Sequence, residues 1–122
     1  MPSILDSFPV GPMPCDTLVF RAIRNSWKEQ GQINSIAFYL RILPQGVEEG
    51  LSVSNNVANG LRVLRKAVEV RSLHVGNVRS LSLDVIANKP YHAAIYGCPA
   101  PDDKEAERIA TDLLKQSKKA HP

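Results

Sequence analysis

The sequence predicts an α+β fold: a mostly antiparallel sheet of about five to six strands with two main helices packed on it, one of them at the C-terminus. Three observations point there. Alternating apolar runs come in two groups, each followed by a segment of helical period, in the order β, β, β, α, β, β, β, α. Two strand-like runs, 82–87 and 91–96, are separated only by the turn residues Asn88-Lys-Pro, the spacing of a hairpin. The closing segment combines an acidic start, an apolar stripe and a lysine-rich end, as a helix that complements its own dipole would.

In chain order, residues 1–15 are expected to form an extended arm. Pro2, Pro9, Pro12 and Pro14 keep this stretch out of helices and central strands, while Ile4, Leu5, Phe8 and Val10 give it apolar groups to dock. A single domain is expected over 16–122. Its first strand, 16–23, puts Leu18, Phe20 and Ala22 on one face and Val19, Arg21 and Ile23 on the other. Residues 24–35 are polar and read as a loop carrying Trp27, the one tryptophan of the sequence. Residues 35–43 alternate again: Ile36, Phe38, Leu40 and Ile42 on one side, Ala37, Tyr39 and Arg41 on the other. Pro44, Gly46 and Gly50 mark turns, and 51–54 is a short strand.

Ser54, Asn55 and Asn56 are good caps for a helix whose apolar stripe is Val57, Leu61, Leu64 and Val68. Gly60 weakens it by about 1 kcal/mol relative to alanine, and Arg62, Arg65 and Lys66 sit towards its favourable end. Residues 69–75 read as a strand, 77–81 as a turn or helical step, and the 82–87/91–96 hairpin comes next. The last helix is expected to be capped by Asp102 or Asp103, with Glu105 completing a capping box with Asp102. Its stripe is Ala106, Ile109, Ala110, Leu113 and Leu114, and Lys115, Lys118 and Lys119 finish it.

Composition bounds the function. A length of 122 residues suits one domain with a modest core. With 43% hydrophobic and 22% charged residues the chain is too apolar to be disordered. No apolar run approaches the roughly 20 residues of a spanning helix, so no membrane partner is expected. The start lacks the basic-then-apolar pattern of a secretory signal, which makes a cytoplasmic address the default. Cys15 and Cys98 belong to no CxxC pair, and the histidines supply no metal-ligand spacing, so neither a metal nor a cofactor is implied. A net charge of +3 permits an acidic partner. Nucleic acid is a minority reading, because only 6% of residues are aromatic and no stacking ladder is visible.

Several residues are candidates for chemistry. Arg21 shares a strand face with Val19 and Ile23, so if that face is buried it needs a carboxylate, carbonyls or a bound anion. Arg41, in phase with Tyr39, poses the same question. His74, followed by Gly76 and Arg79, would line an anion pocket if backbone N–H groups there approached a phosphate. His92 has the ordinary pKa for proton transfer, shares parity with Cys98, and would need a cleft. Asp84 is the carboxylate available to orient either histidine or to pair with an arginine. For each of these, a packed or solvated structural residue is the competing reading.

The segment Leu18-Val-Phe-Arg-Ala-Ile, with Arg21 at its centre, resembles the first strand of small bacterial NAD-consuming proteins, the RES-type toxins and other ADP-ribosyltransferase-like folds. The resemblance spans those residues only. It implies that Arg21 would hold a dinucleotide; no carboxylate stands in a recognisable catalytic context, with Glu48 and Glu49 the ones that could be proposed. The Gly-Gly-Arg-Trp-Asn segment of RES proteins is missing, with Asn25-Ser26-Trp27 nearby.

Two readings of function therefore stand. In the first, the chain is a small non-enzymatic module that binds a partner protein or an anionic small ligand, and a homodimer is compatible with its proline-rich arm. In the second it is a compact nucleotide- or NAD-acting enzyme, with Arg21 and Arg79 on phosphate and His74 or His92 moving a proton. Convergence of Arg21, Tyr39, His74 and Arg79 in one pocket would favour the second.

Overall fold

The alternating runs assemble into one antiparallel sheet in the computed structural model, which describes residues 10–64 and 66–120. In chain order the strands are β1 (Gly11–Pro12), β2 (Leu18–Arg24), β3 (Lys28–Glu29), β4 (Gln32–Ile33), β5 (Ile42–Leu43), β6 (Gly46–Val47), β7 (Gly50–Ser54), β8 (Ala67–His74), β9 (Asp84–Lys89), β10 (His92–Tyr96) and β11 (Lys118–Ala120). The helices are α1 (Val57–Val63), α2 (Val75–Arg79) and α3 (Ala106–Gln116). Among the described residues, seven strands form the main sheet in the order β1-β9-β10-β7-β2-β8-β11, while β3–β4 and β5–β6 are separate small hairpins. No helix among the described residues is long and apolar enough to cross a membrane.

The sheet divides the molecule into two unequal layers. Val19 and Ile23 of β2, Leu73 of β8, Val53 of β7 and Ile95 of β10 share one face, as their register requires. That face is buried under Ile109, Ala110 and Leu113 of α3 and under Ala37 and Phe38. The opposite face is covered by α1, which packs on β2, β7 and β8 and brings Gly60 over Val70. The main core therefore lies on the α3 side, and α1 shields only the middle of the other side.

Several expectations are corrected. Residues 35–43 do not form one continuous strand: Ser35–Phe38 is a 3-10 turn capped by Asn34, whose side chain accepts from Ile36 N, and only Ile42–Leu43 is extended as β5. Within it Ala37 and Phe38 are neighbours and both buried, which breaks the expected alternation, whereas Ile36 and Ile42 are exposed. Residues 24–35 are more ordered than a plain loop. They hold a 3-10 turn at Asn25–Trp27 and the β3–β4 hairpin. Gln30 (φ 52°) and Gly31 (φ 80°) form its two-residue turn, the left-handed backbone that tight hairpins need.

The first helix stops at Val63, and Leu64 is already extended. The sheet claims the next stretch of chain, because Ala67 pairs with Arg24, so Val68 lies on a strand and not on the helical stripe. Arg65 of the expected basic cluster lies outside the described residues. The expected Asp102–Glu105 capping box does not form; Asp103 Oδ1 accepts from Glu105 N instead (2.8 Å). Ser117 ends α3, and Lys118 and Lys119 leave the helix to form β11 beside β8. The sheet thus has more strands than the five to six expected, the surplus being the short edges β1 and β11. Of the expected arm, residues 1–9 lie outside the described residues. Its later part is docked: Gly11 and Pro12 pair with β9, and Met13 is buried in the core.

A partly buried ionic knot ties the β3–β4 hairpin to the sheet. Glu69 accepts from Lys28 Nζ (3.1 Å) and from Arg71 Nη1 (3.0 Å), and Arg71 also reaches Ser117 O (2.8 Å). Burial pushes the Glu69 carboxyl up, but the bonds and charges of Lys28 and Arg71 outweigh it and hold the group below its ordinary value of 4.5. A depressed carboxyl contributes stability that is complete above the unfolded pKa and is lost as pH falls through the folded one. Urea unfolding between pH 7 and pH 3 should therefore show a loss of stability below about pH 4.5 that is shallower in Glu69→Gln. The 3-10 turn gives a second test. Phe38 is 1% exposed and Ile36 49%, so Phe38→Ala should cost about 3–5 kcal/mol in chemical unfolding and Ile36→Ala about 0.5 kcal/mol or less. Equal costs would restore the strand reading.

Candidate functional site

Arg21 is built into the middle of the sheet. Strand alternation directs it to the α3 face, where it is 5% exposed between Val19 and Ile23. The β2–β7 ladder is a single register pair, Phe20 opposite Ser54. Two residues further, where Ala22 would face Ser52, the Ser52 carbonyl accepts from Arg21 Nη1 instead (2.9 Å). Arg21 Nε donates to Ala37 O of the 3-10 turn (2.9 Å). A side chain thus replaces backbone pairing, and carbonyls rather than a carboxylate compensate its charge.

Trp27 completes the surroundings. Its own carbonyl accepts from Asn34 N (2.7 Å), which fixes the loop that carries it. The guanidinium carbons of Arg21 and Arg24 lie 5.3 and 5.5 Å from the Trp27 ring centroid, within cation–π range. Arg41 contributes a third guanidinium and is gripped by Glu48, whose Oε2 accepts from Arg41 Nη2 (3.1 Å) and Nε (3.3 Å).

These groups surround a cavity of about 140 Å³ at the gap between β2 and β7, reaching α1 at Gly60 and lined by Phe20, Arg21, Ala22, Arg24, Trp27, Arg41, Ser52, Ser54, Gly60 and Leu64. No carboxylate appears among these lining residues. Arg21 Nη2 and Arg24 Nε are buried and have no hydrogen-bond partner among the described residues. Burial lowers the Arg21 pKa to about 10, against the opposing pull of Glu48, so the guanidinium remains charged at neutral pH. Two of the arginines that line the cavity therefore carry a buried donor atom that nothing in the described chain satisfies.

His92 adjoins this cavity through Ser52. Ser52 Oγ lies 2.9 Å from His92 Nε2, and His92 Nδ1 lies 2.7 Å from Asn88 Oδ1. An amide oxygen only accepts, so Nδ1 carries the proton and Nε2 is left to accept from the serine hydroxyl. Burial, and then the charge of Lys89, lower the His92 pKa below its ordinary 6.5 against the raising effect of Glu48, which keeps the ring neutral.

The other candidates lie elsewhere. Tyr39 Oη donates to Glu107 Oε1 of α3 (2.8 Å), and that bond raises the phenol pKa. Arg79 pairs with Asp84 (2.9 Å), donates to Cys15 Sγ (3.2 Å), and borders a separate open depression with Tyr96 and Gly97. His74 ends β8, its ring against Gly76 and its Nδ1 buried without a partner among the described residues. Arg21, Tyr39, His74 and Arg79 thus do not gather in one pocket; Arg21 and Arg41 do. Burial pushes the Cys98 thiol up to about 11, so it is protonated and a poor nucleophile at neutral pH.

Sequence reasoning missed Arg24, Ser52 and Asn88, and it noticed Trp27 without a role. Arg24 differs in parity from Arg21, yet both reach one tryptophan beside the register irregularity between Ile23 and Arg24. Ser52 and His92 meet through the pairing of β7 with β10, which no local pattern announces. The arrangement makes a direct test. His92 should titrate below 6.5 when its ring resonances are followed by NMR, and Lys89→Gln should move the midpoint up. A midpoint above 6.5 would contradict the neutral, serine-accepting ring.

No protein-family model, curated protein or solved structure matches this chain.

Proposed function

We propose that the protein binds a small oxyanion-bearing molecule, a carboxylate or a phosphate, in the cavity between α1 and strands β2 and β7. The observation that carries this reading is the pair of buried donors without a partner among the described residues, Arg21 Nη2 and Arg24 Nε, on two arginines that line one cavity. Leaving a buried charged donor unsatisfied costs more than an ordinary lost hydrogen bond. A bound anion removes that cost and offsets the surplus charge that Glu48 leaves. Size limits the ligand: about 140 Å³ is well below the roughly 300–1,000 Å³ of sites for drug-sized molecules. The cavity suits one oxyanion group with a few attached atoms.

A nucleotide- or NAD-acting enzyme has less support. Its two phosphate-holding arginines, Arg21 and Arg79, border different depressions, and Arg79 is already engaged by Asp84.

Thermal unfolding in inorganic phosphate or succinate, against chloride at equal ionic strength, tests the proposal. A ligand at about 100 times its Kd adds about 2.7 kcal/mol, several degrees for a domain of this size. The rise should appear in the wild type and shrink in Arg24→Gln and Arg21→Met. Equal rises in all three proteins, or none with either anion, would overturn the proposal.

A further inference from the structure

The oxyanion cavity has a wall with the geometry of an activated nucleophile. We infer that Ser52 attacks a small carboxylate-bearing ester held in this cavity, with His92 as general base, so that the protein hydrolyses it through an acyl-Ser52 intermediate. The inference rests on the oxyanion reading above and adds the chemistry of the same site.

Three observations support it. Ser52 Oγ is 2.9 Å from His92 Nε2, within reach for proton transfer, and Ser52 lines the cavity. The ring is oriented by Asn88, whose Oδ1 accepts from Nδ1 at 2.7 Å. Asn88 is positioned by a β-bulge: in the β9–β10 ladder Lys89 faces His92 and Ala87 faces Ala93, so Asn88 has no opposite residue. Bulges of this kind re-aim a side chain, and here the extra residue turns to the imidazole. Arg21 also fixes the nucleophile's backbone through Nη1 on Ser52 O, and its free Nη2 is a donor on the same guanidinium.

The step balances with water as the only co-reactant. Ser52 Oγ forms a bond to the ester carbonyl carbon while its proton passes to His92 Nε2, and the carbonyl electrons move to oxygen as an oxyanion. Collapse breaks the carbon–alkoxy bond, and the Nε2 proton goes to the leaving oxygen, releasing the alcohol. Water then attacks acyl-Ser52 and gives a proton to His92. A second collapse breaks the Oγ–acyl bond, returns that proton to Oγ and releases the acid. Arg24 holds the carboxylate at the far end of the acyl group. Asn88 is a positioning residue.

The test uses the full chain and mono-4-nitrophenyl succinate. Nitrophenolate release should begin with a burst, and intact and peptide mass spectra should place a succinyl adduct on Ser52. Ser52→Ala should abolish burst and adduct yet keep the thermal shift with succinate, separating chemistry from binding. His92→Gln should slow release by about 100-fold or more. Asn88→Ala should slow it, with recovery in Asn88→Asp. Unchanged release in Ser52→Ala, an adduct on another residue, or no release despite a succinate-induced shift would overturn the inference while leaving the binding site in place. Absence of both the shift and the release would overturn both readings.

Discussion

A guanidinium buried in the centre of the sheet is the constraint on which the rest of the structure depends. Arg21 stands where a strand of this pattern would place an aliphatic residue, and desolvating its charge is costly. Part of the cost is offset by bonds to Ala37 O and Ser52 O and by the face of Trp27, while Nη2 stays without a partner among the described residues. Each compensation has a structural result. The bond to Ala37 O draws the 3-10 turn onto the sheet, which seats Phe38 in the core. The bond to Ser52 O takes the place of ladder pairing, so β2 and β7 meet at one register pair only. The contact with Trp27 holds the loop after β2 over the gap.

The cavity arises from that incomplete seam. Where β2 and β7 part, the space between them and α1 is filled by neither backbone nor aliphatic side chains, and its wall carries three guanidinium groups. Arg41 is matched by Glu48, whereas Arg21 and Arg24 are matched by no carboxylate among the described residues. A sheet optimised for stability alone would place a hydrophobe at position 21 and close the ladder. The buried charge and unpartnered donors there are what the proposed anion site rests on, and the His92 ring held between Ser52 and Asn88 adjoins them through Ser52.

Much of the fold is legible in the sequence because it is written locally. The parity of Val19, Arg21 and Ile23, the 84–96 hairpin and the apolar stripe of α3 all come from short-range patterns. The failures share a cause. Alternation from Ile36 to Ile42 is overridden by the Asn34 cap and by the bond from Arg21, a residue far away in sequence. Lys118 and Lys119 continue the charge pattern of a helix, yet pairing with β8 claims them. The site divides the same way. Arg21 stands out as a charge on an apolar face, and His92 as a base on a strand. The meeting of Ser52 with His92, and of Arg24 with Arg21 over Trp27, depends on long-range register and on bulges that no residue spacing announces.

The most direct measurement is the solvent exchange of the arginine Nε–H protons by NMR on nitrogen-labelled protein. The Arg21 Nε–H, bonded to Ala37 O inside the core, should exchange far more slowly than that of the exposed Arg62, and its resonance should persist at pH values where the latter is lost. Exchange of the Arg21 proton as fast as that of Arg62 would mean that the guanidinium does not occupy the seam, and the cavity would lose its foundation.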